Sequence, residues 1–273
     1  MPTYGVRKTL SAFLKNTKEP VALALSSGID SSCLLMVLKD LGLSPLCVSF
    51  TLDDRTSTDF VGATKIANAF NCEFHPVILS TNADEICSDV QLIANLIHKF
   101  KVRPKTTIEC LWPYLHVFRF LESRGIKTLV TGNGADGHFG LNKRAMIHFR
   151  TPTIKFQMFR SMYFSRPDCA QRQTLTVLGS MHGVNVQLPF CDPAMFTLFE
   201  DASWDELNKP KQKEAIQQEF PELIPMNIRR HTNMQLGDSG IAEVIGASVI
   251  RKFAPSARSP LTVYNKLMRI ADD

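Results

Sequence analysis

No apolar run in the sequence approaches the roughly 20 residues that would cross a bilayer. The first 18 residues scatter Arg7, Lys8, Lys15 and Lys18 through a short amphipathic stretch, with no uninterrupted apolar core of an export signal. Neither membrane insertion nor export is expected; a cytoplasmic protein is. C-x-x-C pairing is also missing. The seven cysteines (33, 47, 72, 87, 110, 169 and 191) are odd in number and mostly sit in apolar segments, so they read as reduced core residues and not as a disulfide framework. Histidines 75, 98, 116, 138, 148 and 182 show no H-E-x-x-H or similar spacing, which leaves them structural or solvated. There is no internal repeat, no low-complexity tract and no Gly-Lys-[Ser/Thr] Walker A motif.

What is present is ordinary for a globular enzyme. Hydrophobic residues make up 44% and charged residues 21% of 273, enough chain for one large domain or two modest ones with a buried cleft. The net charge of +5 is mild and dispersed; it permits nucleic acid as a partner, and binding of polyanionic nucleotides explains it equally well. From residue 21 to about 131, short apolar runs at 21–25, 46–51, 73–79 and 128–131 alternate with helical periods at 31–41, 59–70, 83–100 and 109–123. That alternation predicts an α/β fold: a parallel, doubly wound, Rossmann-like sheet covered by helices. After Gly140 the strand signal fades, and helices are expected at 155–164, 170–181, 194–200 and 211–220, separated by Pro152, Pro167, Pro189, Pro193 and Pro221. The expected organisation is an N-terminal helical segment (1–19), an α/β core (20–145) and a helical C-terminal lobe (146–273), with a loop at 233–240.

The strand at 21–25 runs into Ser26-Ser27-Gly28-Ile29-Asp30-Ser31-Ser32 and then a helix. Small residues and unpaired N–H groups at a helix N-terminus suit phosphate: Gly28 allows close approach, the serines offer hydroxyls, and the helix dipole favours an anion. Asp30 would repel phosphate by itself, so its useful role there is to hold Mg²⁺ against phosphate oxygens. A simple helix cap has the same composition.

This stretch resembles the S-G-G-x-D-S loop of the ATP pyrophosphatases, with Ser27 where that family usually has its first Gly. A second motif, Thr131-Gly132-Asn133-Gly134-Ala135-Asp136-Gly137-His138-Phe139-Gly140, is similar to the G-E-G-A-D-E-x-F-G-G motif of asparagine synthetases and β-lactam synthetases. Asp59-Phe60-Val61-Gly62-Ala63, Thr106-Thr107-Ile108 with Pro113, Leu188-Pro189-Phe190-Cys191-Asp192, and Leu223-Ile224-Pro225 followed by Arg229 extend the likeness in order over residues 20 to 240. The resemblance implies ATP cleaved to AMP and pyrophosphate, with Asp30 and Asp136 as Mg²⁺ ligands. It further implies a phosphate cradle of Ser26, Ser27, Gly28, Ser31 and Ser32, and an adenosine pocket at Leu25, Ser49 and Gly132. The substrates would be a small-molecule carboxylate, adenylated first, and an amine or ammonia.

Three departures bear on that chemistry. Asparagine synthetases carry a Glu where this chain has Asn133, which takes no proton at neutral pH. Where they carry a Lys in an Arg-x-Lys pattern, this chain has His231 behind Arg229; imidazolium supplies positive charge only when protonated. Glu109 stands in place of an Arg, a reversal that would turn the pocket from an acidic substrate toward an amine, or simply a first-turn helix acid. Lys143 and Arg144 either meet phosphates or are exposed charges. Met1-Pro2-Thr3 offers no N-terminal Cys and no room for a glutaminase domain precedes residue 21, so the nitrogen is expected from ammonia, an amine or a separate donor subunit. Two other readings fit the departures: an enzyme of this loop family that modifies a nucleobase or nucleic acid, and a catalytically weakened ATP-binding regulatory subunit.

Overall fold

Strand β1 (Ala22–Ala24) leads a five-stranded sheet completed by β2 (Leu46–Leu52), β3 (Phe74–Leu79), β4 (Thr128–Val130) and β5 (Asn185–Gln187). The structure is a computed structural model that describes residues 4–141, 153–226 and 238–270. All pairings are parallel, in the order β3-β2-β1-β4-β5. The chain steps outward from β1 to β3, then returns to place β4 on the other side of β1. The crevice outside the carboxyl ends of β1 and β4 is therefore a topological switch point, where open α/β sheets bind ligands.

Successive residues of the central strands serve opposite layers. Leu23, Cys47 and Val130 face one core; Ala22, Leu46, Val48 and Leu129 face the other. The first layer holds α1 (Val6–Leu14), α2 (Ile29–Asp40) and α3 (Thr58–Ala69). Helix α2 is buried almost all round, from Cys33 to Leu38, because α1 lays its Val6, Leu10 and Leu14 stripe over the side that would otherwise meet water. The second layer holds α4 (Ala83–Ile97) and α5 (Pro104–Ser123), the latter opening with Pro at its first turn, where a missing N–H costs nothing.

Beyond β4 come α6 (Ala135–Phe139), α7 (Thr153–Phe164), α8 (Arg172–Met181), α9 (Pro193–Leu198), α10 (Trp204–Asn208), α11 (Glu214–Gln217), α12 (Ile241–Phe253) and α13 (Pro260–Ile270). This half does not stand apart from the sheet. Strand β5 extends it, α12 and α13 pack on α4 and α5, and Phe156, Phe190, Phe199 and Phe220 join the core of α1 to α3. The helix expected at 211–220 shrinks to the single turn α11, because Lys213 takes a left-handed conformation (φ 58°) that no helix continues through.

One buried polar cluster ties α4 to α5. The Asp89 carboxylate accepts from Trp112 Nε1 (3.2 Å) and His116 Nε2 (2.9 Å) and pairs with Arg119 (2.8 Å). Burial pushes its pKa up, but His116 and Arg119 outweigh burial and hold it below the usual 3.8. Asp89→Ala strands buried donors and should cost about 1–3 kcal/mol at neutral pH. Because the folded carboxylate titrates low, its contribution is present above the unfolded value and is lost as pH falls through the folded one. Urea unfolding of both proteins from pH 7 to about pH 3 should therefore show the difference shrinking with acid.

Candidate active site at the switch point

Helix α2 begins at Gly28 with no side chain capping its N-terminus among the described residues, an arrangement chemically suited to an anion. The loop before it is internally braced. Ser31 Oγ accepts from Ser26 N (3.0 Å) and lies 2.9 Å from Ser26 Oγ, which in turn accepts from Gly28 N (3.2 Å). Ser27 is turned aside: its N–H and hydroxyl both reach Asp59 Oδ1, at 2.9 and 2.5 Å. Ser32 is also diverted, its hydroxyl donating to Gly28 O (2.8 Å) within the helix and away from the cavity wall. The phosphate cradle anticipated from five residues thus presents the Ser26 and Ser31 hydroxyls, Gly28 and the helix terminus.

The second glycine-rich segment comes within contact of the first. A Cβ on Gly132 would lie 3.0 Å from Asp30 Cβ and 3.3 Å from Ser31 N, tighter than nearly all real Cβ contacts, so glycine eases the close approach of the end of β4. Gly134 adopts φ 101° and leads into α6, whose first turn carries Asp136. Asp30 and Asp136, each in the first turn of its helix, meet at one cation. Lys213 Nζ lies 2.5 Å from Asp30 Oδ2 and 2.6 Å from Asp136 Oδ1, on a lysine side chain only 5% exposed. Burial lowers the lysine pKa, but the two carboxylates overcome it and raise it above its ordinary value. Asn208 fixes the lysine backbone: its Oδ1 accepts from Lys213 N (3.1 Å) while its Nδ2 donates to Phe139 O at the end of α6 (3.1 Å).

A cavity of about 880 Å³ opens over these groups. It gathers Leu25, Ser26, Ser27, Gly28, Asp30 and Ser31 from the first loop, Ser49 from β2, and Gly132, Asn133 and Asp136 from the second. The Asn133 amide is held in one orientation. Its Oδ1 accepts from Thr131 Oγ1 (2.7 Å) and the buried Tyr114 hydroxyl (3.0 Å), and its Nδ2 donates to Ala170 O (3.2 Å). Burial drives the Tyr114 pKa up to about 12, so it remains a neutral donor.

Glu109 does not join this group. It is 1% exposed, paired with Lys105 (2.6 Å) and 3.4 Å from the Tyr264 hydroxyl, on the side of α5 that packs against α13. Thr106, Cys110, Tyr114 and Val117 form the cavity-facing stripe of α5, at helical spacing that leaves position 109 on another face. The expectation of a charge reversal inside the pocket is corrected accordingly. His231, Arg229, Lys143 and Arg144 lie outside the described residues. Lys213 and Tyr114 were missed by sequence reasoning: Lys213 is 183 residues from Asp30 and 77 from Asp136, and sits in a run of charges and amides that reads as surface. All seven cysteines are free.

For Mg²⁺ the two carboxylates are a chemically suitable pair. They already converge on one cationic centre, and a hard cation takes its remaining oxygens from phosphate and water. Among the described residues no group of three or more His, Cys, Asp or Glu side chains offers a metal site complete in itself.

A family model described as asparagine synthase matches residues 6–176, more than half of the chain. The chain belongs to the asparagine synthase family. A curated asparagine synthetase (glutamine-hydrolysing) from Gallus gallus is 24% identical to this asparagine synthase family chain over 254 residues, covering 88% of the chain and 42% of the chicken protein. The chain thus spans well under half the length of that relative. Among solved structures, NMN synthetase from Francisella tularensis aligns with 12% identity and a TM-score of 0.38, covering 86% of this chain and 99% of that one; a likeness this low bears on neither fold nor function. No described helix is long and apolar enough to cross a membrane.

Lys213→Met would leave two carboxylates facing each other without their shared cation. Since Asp136 is partly exposed, the cost should fall below that of a fully buried pair, at about 2–3 kcal/mol. Repulsion raises both carboxylate pKa values in the variant, so the loss is greatest at neutral pH and is relieved as pH falls toward 4. Melting temperatures across that range check the sign; a loss that is flat with pH would show that packing, not charge, is what Lys213 supplies.

Proposed function

We propose that the chain is an ATP-dependent, amide-forming ligase. It activates a small-molecule carboxylate by adenylation, with release of pyrophosphate, and transfers the acyl group to ammonia or an amine. The convergence of Asp30, Asp136 and Lys213 beneath the α2 N-terminus carries this reading. Membership of the asparagine synthase family supports it.

The polyphosphate would lie against the first turn of α2, with Gly28 permitting close approach and the Ser26 and Ser31 hydroxyls available to its oxygens. Leu25 just past β1, Ser49 within β2 and Gly132 in the loop after β4 would border the adenosine. Asp30 and Asp136 would hold Mg²⁺, which when bound supplies charge neutralisation at the departing pyrophosphate. Lys213 keeps an ammonium against the same two carboxylates, on a side chain nearly free of water, and beside the metal its fixed positive charge would stabilise a developing anion more than it would in solution. Asn133 contributes otherwise. With its oxygen committed to two hydroxyls, the amide offers hydrogen-bond donation to an acyl oxygen and no basic site for a proton.

Phosphorus NMR of ATP, Mg²⁺ and the protein, supplied with pooled carboxylates and amines, should show AMP and pyrophosphate appearing with one pool. Asp30→Ala should abolish the signal, and Lys213→Met should slow it by roughly 10²–10³-fold, the usual effect of removing one charge-stabilising donor. ADP with inorganic phosphate as products would overturn the mechanism.

A further inference from the structure

We propose that Asp59 is a positioning residue for the nucleotide loop, acting through Ser27, and that Ser27, Asp59 and Gly62 form one mutually fitted contact. This rests on the reading of residues 26–32 as the ATP site. Asp59 Oδ1 takes both donors of Ser27, the N–H at 2.9 Å and the hydroxyl at 2.5 Å. One turn further along α3, a Cβ on Gly62 would stand 2.4 Å from Ser27 Cβ, closer than real atoms approach. The Ser27 side chain thus fills the space that a side chain at position 62 would need.

The support behind Asp59 is firm on two sides. Ser57 caps α3 by accepting from Phe60 N (3.1 Å), and Asp238 accepts from Thr58 N (2.8 Å) and Thr58 Oγ1 (2.6 Å). A carboxylate beside a phosphate site is unfavourable unless donors meet its charge. Here the two Ser27 donors and the α3 first turn do so. The result is a loop in which both Ser27 donors are committed to α3, leaving Ser26, Gly28 and Ser31 as the loop's other groups at the cavity. Asp59 also lines the cavity wall, and it acts on the loop through the two Ser27 donors.

The test is calorimetric binding of the Mg²⁺ complex of α,β-methylene-ATP, which cannot be cleaved between its α and β phosphorus atoms, to the full chain, with melting temperature measured separately without nucleotide. Asp59→Asn should weaken binding about tenfold, as expected for a charged hydrogen bond that shapes the bound loop, with little change in melting temperature. Gly62→Ala should weaken binding at least as much, and Ser27→Gly in the same chain should restore most of it by vacating the contested space. Unchanged affinity in Asp59→Asn, or a lowered melting temperature with affinity intact, would reduce Asp59 to a structural residue and overturn the proposal. So would failure of Ser27→Gly to relieve Gly62→Ala. Wild-type protein that binds no analogue would instead sink the reading of the loop, and this role with it.

Discussion

Everything at the carboxyl edge of the sheet is arranged around one ammonium group. Lys213 Nζ joins a carboxylate at the start of α2 to another at the start of α6, helices that follow β1 and β4. Desolvating a lysine is costly, and so is holding two carboxylates close together; each arrangement offsets the other. The local oddities serve the meeting point. Gly132 lets β4 come up against the first loop, Asn208 holds the lysine backbone to the end of α6, and Lys213 gives up helical geometry at its own position.

Around this centre the two halves of the chain share one framework. The C-terminal segments supply Lys213, the edge strand β5, and the aromatic residues that complete the layer beneath α1 to α3, while α12 and α13 cover α4 and α5. A site built at such a junction depends on long-range closure, with the groups that define it brought together from across nearly two hundred residues.

How much of this could be read from the sequence follows from range. Strands β1 to β4 and helices α2 to α5 announce themselves by period, whereas Asp30 and Asp136 stand out only because two glycine-rich motifs occur together, each alone being compatible with an ordinary cap or turn. Strand β5 is hard to read from the sequence although Val184, Val186 and Leu188 alternate correctly, because three paired residues are too few to stand out. Around α11 composition favours a longer helix, whereas Lys213, bonded through its backbone N–H to Asn208 and through its side chain to Asp30 and Asp136, has a left-handed backbone. Glu109 shows the opposite error. Matching positions placed it in the pocket, but the helix face that meets the cavity runs through Thr106, Cys110 and Tyr114 instead. The diversion of Ser27 to Asp59 links two motifs 32 residues apart, neither of which specifies the other alone.

The pinned amide of Asn133 has a consequence for how the site responds to its surroundings. Two hydroxyls hold its oxygen, a main-chain carbonyl fixes its nitrogen, and none of these partners ionises near neutrality. It is a permanent dipole of fixed direction. Its direction is the same in acid and in mild alkali, so any contact made at this wall of the cavity is uncoupled from the proton concentration.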